Sequence, residues 1–151
     1  MDNVTITING KKLSVPGNYT VLEAAREANI NIPTLCFLKD INEIGACRMC
    51  LVEIKGAKAL QASCVYPVSE GMEVYTNSPA VRRARRSNLE LILSNHDRQC
   101  LTCVRNKNCE LQTLADEMNI TEIPFQGENT KYEIDDLSPS IVRDNNKCRC
   151  V

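Results

Sequence analysis

Seven of the nine cysteines in this 151-residue chain fall into two sets, and the second set encloses the only histidine. Cys36, Cys47, Cys50 and Cys64 read C-x10-C-x2-C-x13-C, and His96, Cys100, Cys103 and Cys109 read H-x3-C-x2-C-x5-C. Tight thiol spacings with an imidazole nearby are how a chain holds metal, so both stretches are expected to wrap as loops around metal. A disulfide scaffold would suit a secreted chain, but the start Met-Asp-Asn-Val-Thr lacks a basic and then apolar signal sequence. An odd thiol count without such a signal points to a reducing compartment, and a cytoplasmic location is expected.

The rest of the composition is that of a globular protein, 43% hydrophobic and 25% charged. A formal net charge of −1 argues against nucleic-acid partners. No apolar run approaches the ~18–20 residues of a membrane span.

Taken in order, Val4, Ile6 and Ile8 alternate with Thr5 and Thr7, the period of a half-buried strand. Asn9-Gly10 suits a two-residue hairpin turn, and Leu13 and Val15 continue the alternation on a return strand. Thr20 with Glu23 forms a capping box that opens a helix, with Val21, Leu22, Ala25 and Ala28 on its apolar face. Strands are predicted at Leu51–Ile54, Ala59–Ala62 and Glu73–Thr76, which makes residues 1–77 one α+β domain with a mixed sheet on one helix. Ser78-Pro79 starts a second helix running to Ser94, its buried set being Val81, Ala84, Leu89, Ile92 and Leu93. The run Arg82-Arg83-Ala84-Arg85-Arg86 is expected on a solvated face, a docking patch for a partner subunit being the sharper reading. Leu111, Leu114, Ala115 and Met118 make a short amphipathic helix that completes a small helical domain over 78–119. Residues 120–151 lose periodicity and read as a surface-hugging connector.

The first cysteine set suits a [2Fe–2S] cluster, which takes two thiolates per iron and close backbone amides. In Gly45-Ala46-Cys47-Arg48-Met49-Cys50, Gly45 permits unusual dihedrals and Ala46 keeps bulk away. The competing reading is zinc on four thiolates. Zinc sites more often use two C-x2-C pairs, and here one pair is tight.

Ile32-Pro33-Thr34-Leu35-Cys36, Gly45-Ala46-Cys47-Arg48-Met49-Cys50-Leu51-Val52-Glu53 and Leu91-Ile92-Leu93 before His96 resemble one known module. It is the N-terminal iron–sulfur region shared by multimeric [FeFe]-hydrogenases, the large iron–sulfur subunit of complex I and NAD-linked formate dehydrogenases. The wording is most similar to the [FeFe]-hydrogenase catalytic subunit. The resemblance implies a [2Fe–2S] ferredoxin-like β-grasp domain on Cys36, Cys47, Cys50 and Cys64. It implies that Cys36 pairs with Cys47 on one iron and Cys50 with Cys64 on the other. It also implies a [4Fe–4S] cluster on His96, Cys100, Cys103 and Cys109. After Ile141-Val142-Arg143-Asp144-Asn145-Asn146-Lys147 the family continues C-x2-C-x2-C-x3-C, whereas this chain reads Cys148-Arg149-Cys150-Val151 and stops. Two thiols cannot hold a [4Fe–4S] cluster alone, so Cys148 and Cys150 by themselves complete no third cluster site. The chain is then a fragment, lacks intervening residues, or has a different tail.

The function implied is an electron relay with no catalytic centre of its own. It would pass single electrons between NAD(P)H/flavin or ferredoxin partners and the catalytic centre of an [FeFe]-hydrogenase-type complex. Its partners would include a flavin/NAD(P)-binding subunit and a small [2Fe–2S] subunit. The same module in complex I or in an NAD(P)-linked formate dehydrogenase is the near alternative. A zinc-stabilised interaction module is the alternative from another class.

Overall fold

The computed structural model describes residues 2–128 and 130–147. Cys148 and Cys150, and the expectation attached to them, lie outside the described residues. The chain divides into two compact units, Met1–Arg85 and Arg86–Val151.

In the first unit β1 (Asn3–Ile8) pairs antiparallel with β2 (Lys11–Pro16), with Ile8 opposite Lys11. That register leaves a two-residue loop, and Asn9 (φ 50°) and Gly10 (φ 84°) both take the left-handed dihedrals such a turn demands. Helix α1 (Val21–Glu27) opens on Thr20, whose Oγ1 accepts from Glu23 N at 3.3 Å while Thr20 N donates to Glu23 Oε2 at 2.9 Å. Asn29, at φ 57°, turns the chain out of the helix.

Strands β3 (Leu51–Ile54), β4 (Gln61–Ala62) and β5 (Glu73–Tyr75) complete a five-stranded sheet in the order β2-β1-β5-β3-β4. The pair β1–β5 is parallel, with Thr7 opposite Glu73, and the other pairs are antiparallel. β4 and β5 are each shorter than their sequence patterns suggest. Ile6, Ile8, Val15, Leu22, Val52 and Val74 form the core with Ala24 and Ala25 of α1, the small alanines letting the helix approach the sheet. Leu22 is fully buried, so Leu22→Ala is expected to lower unfolding stability by ~3 kcal/mol. Denaturant titration checks this, with the midpoint falling and the slope unchanged.

Helix α2 (Pro79–Ser94) is capped by Ser78, whose Oγ accepts from Val81 N at 3.3 Å, and the division between the units falls within it. In the second unit α3 (Glu110–Glu117) buries Leu111 and Leu114. Arg86 pairs with Glu90 at 2.8 Å and donates to Met118 O at 3.0 Å, joining the second half of α2 to the end of α3. The connector is not featureless: β6 (Asp135–Ser138) and β7 (Ile141–Arg143) form an antiparallel hairpin around Pro139-Ser140. Its strands are short and almost wholly exposed, so they carry no alternation for a sequence reading to detect.

The arginine run also needs correction. Arg82 and Arg83 are exposed and Arg86 is paired, but Arg85 is 6% exposed and belongs to the interior.

Candidate metal centres

Cys36, Cys47, Cys50 and Cys64 are all buried, none more than 4% exposed. The long loop between α1 and β3 is folded onto the first of them. Leu38 and Asn42 form an antiparallel bridge, and the Asn42 Nδ2 amide donates to Cys36 O at 2.9 Å. This brings Cys47 N onto Cys36 Sγ at 3.5 Å, an amide donating to a sulfur. Gly45 (φ 64°) and Arg48 (φ 54°) provide the reversals on either side of Cys47. A Cβ on Gly45 would meet a Val65 methyl at an ordinary 3.4 Å, so it is the left-handed dihedral that calls for glycine there.

The second pair is set by the sheet. Leu51 stands opposite Ala62, Ser63 N donates to Cys50 O at 3.1 Å, and Val65 N closes a turn on Ala62 O at 3.2 Å. The result places Cys50 Sγ and Cys64 Sγ 3.3 Å apart, sharing a hydrogen bond. That bond draws the Cys50 thiol down to about 6 and pushes Cys64 up, so the pair holds one thiolate at neutral pH. Burial raises the Cys36 thiol. All seven described cysteines are free of disulfides.

Among the described residues, no three His, Cys, Asp or Glu side chains close on a single ion. In the first set the Cys47 amide donates to Cys36 Sγ, Cys50 Sγ meets Cys64 Sγ, and Cys64 also feels the Cys36 and Cys47 thiols.

A second observation bears on the fit. Arg85 Nη2 donates to Leu51 O at 2.6 Å, but its Nε is buried without a partner among the described residues. Burial lowers this guanidinium to about 10, with the Cys50 thiolate acting in the opposite sense. A buried cation of this kind favours an anionic group beside Cys50, and a thiolate-bound cluster is one.

The second set is assembled by the ends of two helices. His96 lies two residues past α2, with its amide on Leu93 O at 3.4 Å. Cys100 opens a 3₁₀ turn, Cys103 N closes on Cys100 O at 3.1 Å, and Cys109 caps the start of α3. All four line one cavity of about 190 Å³, walled by apolar Leu93, Leu111, Ala115 and Ile123. One water needs only ~10–15 Å³, so there is room for a larger group. A [4Fe–4S] cluster takes its ligands at separate irons, and they line a cavity rather than meet.

Two residues that the sequence reading passed over hold this region in shape. Gln112 of α3 accepts from Lys107 N at 2.9 Å and donates to Asn106 Oδ1 at 3.2 Å, pinning the loop between Cys103 and Cys109. Asn146 accepts from Asp97 N through its carbonyl at 2.9 Å, and its side chain bonds both Tyr132 N (2.9 Å) and Tyr132 O (2.8 Å). Neither residue type has a sequence signature for such a task.

Four buried thiols beside a five-stranded sheet, followed by a His/Cys-lined helical cavity, are a donor set that suits iron–sulfur clusters. The family described as 2Fe-2S iron-sulfur cluster binding domain matches residues 1–79, and the NADH-ubiquinone oxidoreductase-G iron-sulfur binding region matches residues 85–124. The chain belongs to the 2Fe-2S cluster binding domain family and carries the second, [4Fe–4S] region directly after it.

It is similar to the NADP-reducing hydrogenase subunit HndD of Solidesulfovibrio fructosivorans, at 46% identity over 98% of this chain and 26% of that protein. It is 34% identical to the mitochondrial NADH-ubiquinone oxidoreductase 78 kDa subunit of Neurospora crassa, over 98% of this chain and 21% of the relative. The crystal structure of an NAD+-reducing [NiFe]-hydrogenase in the H2-reduced state superposes with a TM-score of 0.88 at 33% identity. That match covers 96% of this chain and 61% of the other. The chain thus spans about a quarter or less of these two curated relatives. Similarity reaches across NAD(P)-linked hydrogenases and NADH-ubiquinone oxidoreductase. It supports an iron–sulfur electron-transfer module of such enzymes and does not single out the [FeFe]-hydrogenase catalytic subunit. Among the described residues no helix is long and apolar enough to cross a membrane.

Proposed function

We propose that this chain is a two-station electron relay of an NAD(P)-linked hydrogenase, with both ligand sets as the family resemblance implies. Cys36 and Cys47 would hold one iron of the [2Fe–2S] cluster, and Cys50 and Cys64 the other, in a grasp-type ferredoxin domain. His96, Cys100, Cys103 and Cys109 would hold the [4Fe–4S] cluster. The carrying observation is four buried thiols in the first unit and, in the second, one cavity lined by His96, Cys100, Cys103 and Cys109.

When bound, the clusters supply one-electron chemistry, with plant-type [2Fe–2S] centres near ~−400 mV, within reach of nicotinamide or protons. The chain's own residues exclude water, present thiolates and supply the Cys47 amide to sulfur. The hydrogenase setting is favoured by the 46% identity to an NADP-reducing hydrogenase subunit. The likeness to NADH-ubiquinone oxidoreductase keeps complex I as the second reading. Partners would be a flavin/NAD(P)-binding subunit, a small [2Fe–2S] subunit and ferredoxin, in the cytoplasm.

The test is EPR of anaerobically purified, dithionite-reduced protein with metal quantified. One [2Fe–2S] and one [4Fe–4S] signal and about six irons per chain are expected from the cluster formulae. Colourless protein containing zinc overturns the relay.

A further inference from the structure

We propose that Arg85 is the built-in counter-charge of the [2Fe–2S] site and raises its reduction potential. The proposal rests on Cys50 being a ligand. Arginine is almost never buried unless paired. Yet Arg85 is 6% exposed and has no carboxylate partner among the described residues. Among the described residues, what holds it is a 2.6 Å bond from Nη2 to Leu51 O, the carbonyl of the residue that follows Cys50. Its Nε, also buried, is left without an acceptor among the described residues. Such a guanidinium is strongly disfavoured unless a negative charge lies close by.

The chain provides that charge one residue away. Leu51 O, which accepts from Arg85 Nη2, belongs to the residue after Cys50, and a guanidinium is a cation throughout the neutral range. Four thiolates outweigh the positive charge of the [2Fe–2S] core they bind, and one-electron reduction adds a further negative charge. A fixed cation in a low-dielectric setting therefore stabilises the reduced state more than the oxidised one. The electron is taken from the reductant, no proton moves, and Arg85 stays protonated throughout.

Position along α2 accounts for the burial. Val81, Arg85 and Leu89 recur at intervals of four, one stripe of the helix, and Val81 and Leu89 are both fully buried. Arg85 thus stands as a charged residue in an otherwise apolar stripe. The electrostatic role supplies the reason.

The experiment is an EPR-monitored redox titration of the full chain with dithionite, comparing wild type with R85Q, R85M and R85K. R85Q and R85M are expected to lower the equilibrium constant for one-electron reduction of the [2Fe–2S] signal at least tenfold, about 59 mV. R85K should stay near the wild-type value. The [4Fe–4S] signal in the same samples serves as the reference and should not move. An R85Q or R85M signal at the wild-type potential overturns the proposal.

If neither neutral variant yields a [2Fe–2S] signal but R85K does, a positive charge is required and the proposal stands. If R85K also yields none, Arg85 is a strut for the Leu51 carbonyl and the proposal falls. Cys50→Ser run in parallel separates the two readings. A [2Fe–2S] signal retained in that variant overturns the ligand assignment. Its loss, with R85Q unmoved, overturns the counter-charge alone.

Discussion

Cys50→Ser is expected to abolish the [2Fe–2S] EPR signal and to lower iron from about six to about four per chain, leaving the [4Fe–4S] signal in place. Cys50 is the most decisive of the four because two features meet there. It is 1% exposed, so no water can replace a lost thiolate, and its thiol is held at about 6, so it is the member ready to ligate at neutral pH. A serine hydroxyl does not ionise in this range. It would also leave Cys64 buried without the partner now 3.3 Å away. Metal binding and proton release are linked, and the raised Cys36 and Cys64 thiols must also ionise to ligate, so cluster binding in the wild type should weaken progressively as pH falls through neutrality. Iron analysis and EPR on the same samples check this. Cys148→Ser is the control, expected to change neither signal. Full iron and an intact [2Fe–2S] signal in Cys50→Ser would remove this residue from the ligand set.

His96→Cys should lower the potential of the [4Fe–4S] signal by on the order of 100 mV, the sense in which imidazole ligation separates Rieske centres from all-thiolate ones. Imidazole is neutral where thiolate is an anion, so the exchange adds a negative charge to the centre and disfavours its reduction. The position favours substitution without collapse: His96 is partly exposed, follows the end of α2 and shares its cavity with three cysteines. Redox titration of the variant decides, and an unchanged midpoint would show that His96 is not a ligand.

What the sequence made legible were features carried by local chemistry. Asn9-Gly10 foretold the hairpin, Thr20 and Glu23 the capping box, and Ser78-Pro79 the start of α2, because each acts within a few residues of itself. The cysteine spacings marked the residues of interest in each unit: four buried thiols in the first, and a cavity lined by His96 and three cysteines in the second. The β6–β7 hairpin escaped because its stability owes little to a buried face. Arg85 escaped for the opposite reason. Four arginines in five positions read as a solvated run, and the run masked the interval of four that sets Arg85 in line with Val81 and Leu89. Gln112 and Asn146 act by hydrogen bonds to backbone brought near only by the fold.

The strand order of the first unit has a consequence for synthesis. The strand that sits between β1 and β3 is β5, the last of the five to be made, and it pairs with β1 across more than sixty residues. Pairings that span so much sequence close late and slowly. Cys36, Cys47, Cys50 and Cys64 all precede β5, so every one of these thiols leaves the ribosome before the sheet that shelters them can shut. During that interval they are open to oxidation. A cell that makes this chain must keep the nascent thiols reduced until residue 75 has emerged.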